Sequence, residues 1–69
     1  MVNTQLLDEK IKASGLRVGF IVDKIGISRQ AFDKKRKGKT SFRVAEIYVI
    51  SDLLNLNDES KMKIFYPNS

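Results

Sequence analysis

Val18-Gly-Phe-Ile-Val-Asp-Lys-Ile-Gly-Ile-Ser-Arg-Gln-Ala-Phe-Asp-Lys-Lys-Arg-Lys37 is the stretch on which the fold turns. Val18, Ile21, Val22 and Ile25 stand at i, i+3, i+4 and i+7, the apolar stripe of an amphipathic helix, and Gly26 stops it. Gly19 weakens the interior of that helix without overturning its pattern. Ile27 follows, then Ser28, whose hydroxyl suits it to cap a second helix. In that second helix Ala31 and Phe32 form the inward face, Arg29, Gln30, Asp33, Lys34 and Lys37 the outward one, and Gly38 ends it. Two short helices are thus joined by a turn whose first residue is Gly26. A positive φ there costs a side-chain-bearing residue about 1 kcal/mol or more and glycine almost nothing.

Working outward, the preceding segment opens at Asn3 or Thr4, both good N-caps, and stops at Gly15. It packs through Leu6, Leu7 and Ile11. Thr40 and Ser41 lead into a fourth helix in which Val44, Ala45, Ile47, Tyr48, Val49, Ile50, Leu53 and Leu54 are apolar nearly all round, the pattern of a helix at the centre of a domain. Asn57 caps a short fifth helix, Met62 pairs with Phe65 and Tyr66 at i+3 and i+4, and Pro67 closes it. The expected fold is all-α, a compact bundle of about five short helices. Residues 1–69 form one domain, without repeat or linker.

Composition narrows the chemistry. The chain has no Cys and no His, so disulfides, thiolate metal sites and the commonest general base and metal ligand are missing. No clustered carboxylate pair takes their place. The expectation is a protein that is not an enzyme, with no metal and no cofactor. Charges interrupt every apolar stretch well before the roughly 18 residues of a membrane span, and nothing resembles a signal peptide. A soluble, cytoplasmic protein is expected, beside the nucleoid of a bacterial host cell. The net charge of +5 is local: Arg29 to Arg43 holds seven basic residues and one acid, a balance of +6, against six and seven, −1, in the rest of the chain. Such a concentration is either the footprint of a polyanion-binding surface or a solvated charge run.

The residues from Val18 to Lys37, with Lys37-Gly38-Lys39 after them, resemble the helix-turn-helix of the Cro and repressor-like (lambda-repressor-like, XRE-type) family of small phage and bacterial regulators. The resemblance extends to the apolar fourth helix and so covers nearly the whole chain. It gives Gly26, Ile27, Ser28 and Phe32 structural roles: turn, plug between the helices, cap and core anchor. There are three departures from the family pattern. Val22 stands where the family favours Ala, Val18 where it often carries a phosphate-holding Gln, and Lys35 where it usually has an apolar residue.

What the resemblance implies is a transcriptional regulator of double-stranded operator DNA, with the second motif helix in the major groove. Arg29, Gln30 and Lys34 then read base edges, Arg suiting guanine and Gln adenine. Lys37, Lys39 and Arg43 hold phosphates, and Arg17 substitutes for the missing Gln beside Val18. Lys35 and Arg36 are either phosphate contacts or merely solvated. Asp33 either pairs with Arg29 or Lys37, each four residues away, or accepts from a cytosine amino group. Met62, Ile64, Phe65 and Tyr66 are dimerisation candidates for a homodimer on a palindromic site, or else they close the monomer core. Two other regulatory classes fit the same residues: an antitoxin-type regulator, and an interaction module that turns its basic face to an acidic protein. Lys34-Lys35-Arg36-Lys37 also matches a nuclear localisation signal, a reading disfavoured by its place inside a helix.

Overall fold

In the computed structural model, which describes residues 2–68, the chain forms five α-helices and, among those residues, no strand. They are α1 (Thr4–Ser14), α2 (Val18–Ile25), α3 (Arg29–Arg36), α4 (Val44–Leu53) and α5 (Asp58–Phe65). No helix among them is long and apolar enough to cross a membrane. Three starts are capped as the sequence implies. Asn3 Oδ1 accepts the Leu6 N–H at 3.1 Å, Ser28 Oγ that of Ala31 at 3.0 Å, and Asn57 Oδ1 that of Ser60 at 2.8 Å. Each such bond satisfies a donor that the first turn leaves without a partner.

Each helix sends one side chain to complete burial: Leu7, Ile21, Phe32, Ile50 and Ile64. Ile11, Val22, Ile47, Leu54 and Phe65 complete the core around them. Leu6 packs against its edge, half-buried. Phe42, a loop residue with no periodicity to flag it, joins the core through two edge-to-face contacts. Its ring centroid lies 6.0 Å from that of Phe32 and 5.4 Å from that of Phe65. The chain ends are tied across the bundle: the Asn3 N–H donates to the Ile64 carbonyl at 2.8 Å, and the Thr4 hydroxyl donates to the Arg36 carbonyl at the end of α3.

One expectation needs correcting. The fourth helix is not surrounded. Ile47, Ile50 and Leu54 face the core, but Val44 and Tyr48 are each 64% exposed and Ala45 is exposed beside them. Helices of 8–11 residues are too few and too short to enclose a fifth, so one apolar flank stays open. Thr40 and Ser41 lead into α4, whose N-cap is Arg43; the Glu46 carboxylate takes the Arg43 N–H at 2.8 Å.

The turn between α2 and α3 has the backbone that its glycine implies. Gly26 lies at φ 85°, ψ 29°, and its N–H returns to the Val22 carbonyl at 2.9 Å. A Cβ on Gly26 would meet nothing within 4 Å, and the same holds for Gly19 inside α2. Space is therefore equal at the two positions and only the backbone differs. Gly19→Ala is expected to stabilise the domain by about 0.5 kcal/mol, and Gly26→Ala to destabilise it by about 1 kcal/mol. Thermal unfolding followed by circular dichroism reads both, since 1 kcal/mol moves the midpoint by roughly 4–8 °C in a domain of this size.

Candidate nucleic-acid interface

Helix α3 has two faces. At 100° per residue, Gln30, Lys34 and Lys37 share the arc opposite Phe32, while Arg29, about 60° from Phe32, is the first residue of the helix, and all four are exposed. Ala31, half-buried, flanks the buried ring. The chain then turns back on the helix, the Lys39 N–H donating to the Lys34 carbonyl at 2.8 Å, so Lys39 sits at its C-terminal end.

Lys35 and Arg36 are each paired with an acid and partly buried. They follow Phe32 at i+3 and i+4 and so inherit its inward register. Lys35 Nζ lies 2.6 Å from Glu46 Oε1, the side chains being only 13% and 10% exposed. The same oxygen accepts the Arg43 N–H, so a single carboxylate in the first turn of α4 joins the last turn of α3 to the cap of α4. Burial pushes the Glu46 carboxyl up. The hydrogen bonds from the Arg43 N–H and Lys35, together with the charges of Lys35 and Arg43, outweigh this and leave it below its ordinary value. Arg36 Nη1 reaches both oxygens of Asp8 on α1, at 2.9 and 3.0 Å. The signal for both residues was present in the sequence as spacing from Phe32. Their partners, 11 and 28 residues away, were not.

Asp33 lies among arginines. Its Oδ1 is 3.8 Å from Arg29 Nε and 3.8 Å from Arg36 Nε, whereas no pair forms with Lys37. The expected intrahelical ion pair is thus present with Arg29, and Arg36 replaces Lys37 as the second partner.

With Lys35 and Arg36 neutralised, Lys34, Lys37, Lys39 and Arg43 remain with no carboxylate within 4 Å among the described residues, and Arg29 has a loose one. Arg43 is exposed at the start of α4, next to the Lys35–Glu46 pair. Arg17 is the exposed N-cap of α2, and its neighbour Val18 lines a shallow cleft with Asp8, Arg29, Asp33 and Arg36. Of the motif's structural residues, Val22 and Phe32 are buried, and Ile27 packs against the core. Ser28 caps α3 and Gly26 carries the turn.

The four dimerisation candidates divide. Ile64 and Phe65 are buried in the monomer and are unavailable to a partner. Met62 and Tyr66, four residues apart on the other side of α5, are exposed and line a groove with Val44 and Tyr48 of the open α4 flank. Lys61 Nζ lies 5.2 Å from the Tyr48 ring centroid at its edge.

No family model matches the chain, and neither does any curated protein or solved structure.

Proposed function

We propose that this chain is a sequence-specific, double-stranded DNA-binding transcriptional regulator of the Cro or compact-repressor kind, which lays α3 in the major groove. The observation that carries the reading is the division of α3. Phe32, Lys35 and Arg36 are consumed by the fold, while Gln30, Lys34 and Lys37 are presented to solvent along one arc and Arg29 at the capped end. Eight residues of helix span about 12 Å, enough for three or four side chains to reach base edges. Arg29, Gln30 and Lys34 take the bases; Lys37, Lys39, Arg43 and Arg17 take phosphates.

The regulator acts as a homodimer. The domain's longest dimension is 28 Å, shorter than the roughly 34 Å between successive major-groove half-sites on one face of DNA, so one copy reads one half-site. The groove of Val44, Tyr48, Met62 and Tyr66 is the face on which a second copy packs.

Selection of tight binders from a pool of random duplexes tests both parts. A palindromic consensus should emerge, bound by two protomers in sedimentation. The affinity should fall with salt at a log-log slope of about −3 per protomer or steeper, since each phosphate contact contributes about −0.9. A flat salt response rules out the basic arc as the DNA face. Salt-sensitive binding without sequence preference would instead favour an interaction module that takes acidic partners through charge alone.

A further inference from the structure

Asp33 is the one acid of α3, half-buried at the edge of its solvent arc, and a carboxylate there opposes any polyanion. What surrounds it gives it a use. Four charges of alternating sign run from α1 along one edge of α3: Asp8, Arg36, Asp33 and Arg29. The series is firm at one end and loose at the other. Arg36 donates through Nη1 to both oxygens of Asp8 and is 22% exposed, so it is held more closely than Arg29. Arg36 Nε stands 3.8 Å from Asp33 Oδ1, which places a fixed cation beside the carboxylate. Arg29 Nε approaches the same oxygen at 3.8 Å from a side chain that is 62% exposed, close enough to be oriented and free enough to leave.

We infer that Asp33 is a positioning residue for Arg29, buttressed from α1 through Arg36, and that it sharpens base selectivity by holding the guanidinium away from indiscriminate phosphate contacts. The physics is a competition. Both a phosphate and guanine can match the guanidinium fork, but the phosphate is an anion that the adjacent carboxylate repels, whereas guanine offers two neutral acceptors. Asp33 therefore penalises the wrong contacts more than the right one, which is how specificity arises as a difference of affinities. The inference rests on the DNA-binding reading above.

A double-mutant cycle on the selected duplex and a scrambled one, with a measurement on the free protein, tests it. Asp33→Asn is expected to lower the ratio of selected to scrambled affinity about two- to threefold, the scale of an exposed i, i+4 pair, mainly by tightening the hold on scrambled DNA. In an Arg29→Ala background the same substitution should leave the ratio unchanged. In the free protein, 15N relaxation should show the Arg29 Nε–H more ordered than that of Arg43, and Asp33→Asn should bring it to the Arg43 level. Asp8→Asn, which releases Arg36 to compete for Asp33, should produce a smaller loss of order. If Asp33→Asn changes the ratio equally with and without Arg29, Asp33 acts by itself, through a base or through bulk charge, and the inference is overturned while the DNA-binding reading stands. An Arg29 side chain as mobile in the wild type as in Asp33→Asn overturns it too. A wild type with no preference for any duplex overturns both.

Discussion

Phe32→Ala is expected to cost about 3–5 kcal/mol of stability, the range for removing a fully buried aromatic side chain. The ring has no exposed surface and is the only fully buried side chain that α3 contributes. It also ends the series of edge-to-face contacts that runs through Phe42 to Phe65. Its loss leaves a cavity beside Phe42 and detaches the helix that presents Arg29 and Gln30. At roughly 0.05–0.15 kcal/mol per residue, a domain of this size holds only about 3–10 kcal/mol in all. Much of the variant should therefore be unfolded at 25 °C, with DNA binding lost for want of structure. Phe32→Leu, which keeps most of the volume, should lose far less. Urea unfolding followed by circular dichroism separates the two. A Phe32→Ala protein with an unchanged midpoint would mean that α3 is not anchored where the core places it.

The second large effect is expected at Glu46. Glu46→Ala leaves the Lys35 ammonium buried without its counter-charge and the Arg43 N–H without its acceptor. Breaking a buried pair from one side costs about 3–5 kcal/mol, less whatever Lys35 recovers by extending its stem toward water. Replacing both charges is a different experiment. Lys35→Met with Glu46→Gln removes the ion pair while the Gln side-chain carbonyl can still accept the Arg43 N–H, and it should be close to wild type in stability at neutral pH. The two constructions also differ in acid. Because the Glu46 carboxyl is held below its ordinary value in the folded state, its contribution is fully present above the unfolded value of 4.5 and is lost as pH falls through the lower folded one. Wild type should therefore lose stability below about pH 4.5 by a component that the double variant lacks. Equal acid sensitivity in the two proteins would show that Glu46 is not held as described.

The helix boundaries were legible because they rest on local chemistry. Asn3, Ser28 and Asn57 cap through their own side chains, and Gly15 and Gly26 end helices with positive φ. The exposed arc of Gln30, Lys34 and Lys37 was legible for the same reason, since periodicity from Phe32 fixes it, whereas Arg29 is exposed by its place at the start of the helix. What could not be read locally was which of the basic residues are neutralised. Lys35 and Arg36 look like members of a charge run until Glu46 and Asp8 are brought beside them by the packing of α4 and α1. Phe42 belongs to no periodic pattern, and its place between Phe32 and Phe65 follows only from the path of the loop. The α4 pattern misled because apolar residues all round imply burial only where enough chain exists to cover them. Here Val44 and Tyr48 are left exposed.

Binding of wild type, Arg29→Ala and Lys39→Ala to the selected duplex and to a scrambled one, at several salt concentrations, tests most directly whether α3 is a recognition helix. Both side chains are exposed, so circular dichroism should show all three proteins folded. Arg29→Ala should lose about 1–3 kcal/mol on the selected duplex, much less on the scrambled one, and flatten the preference at one base position. Lys39→Ala should weaken both duplexes alike and reduce the salt slope by about one unit. Indistinguishable behaviour of the two variants on both DNAs would contradict the placement of α3 in the groove.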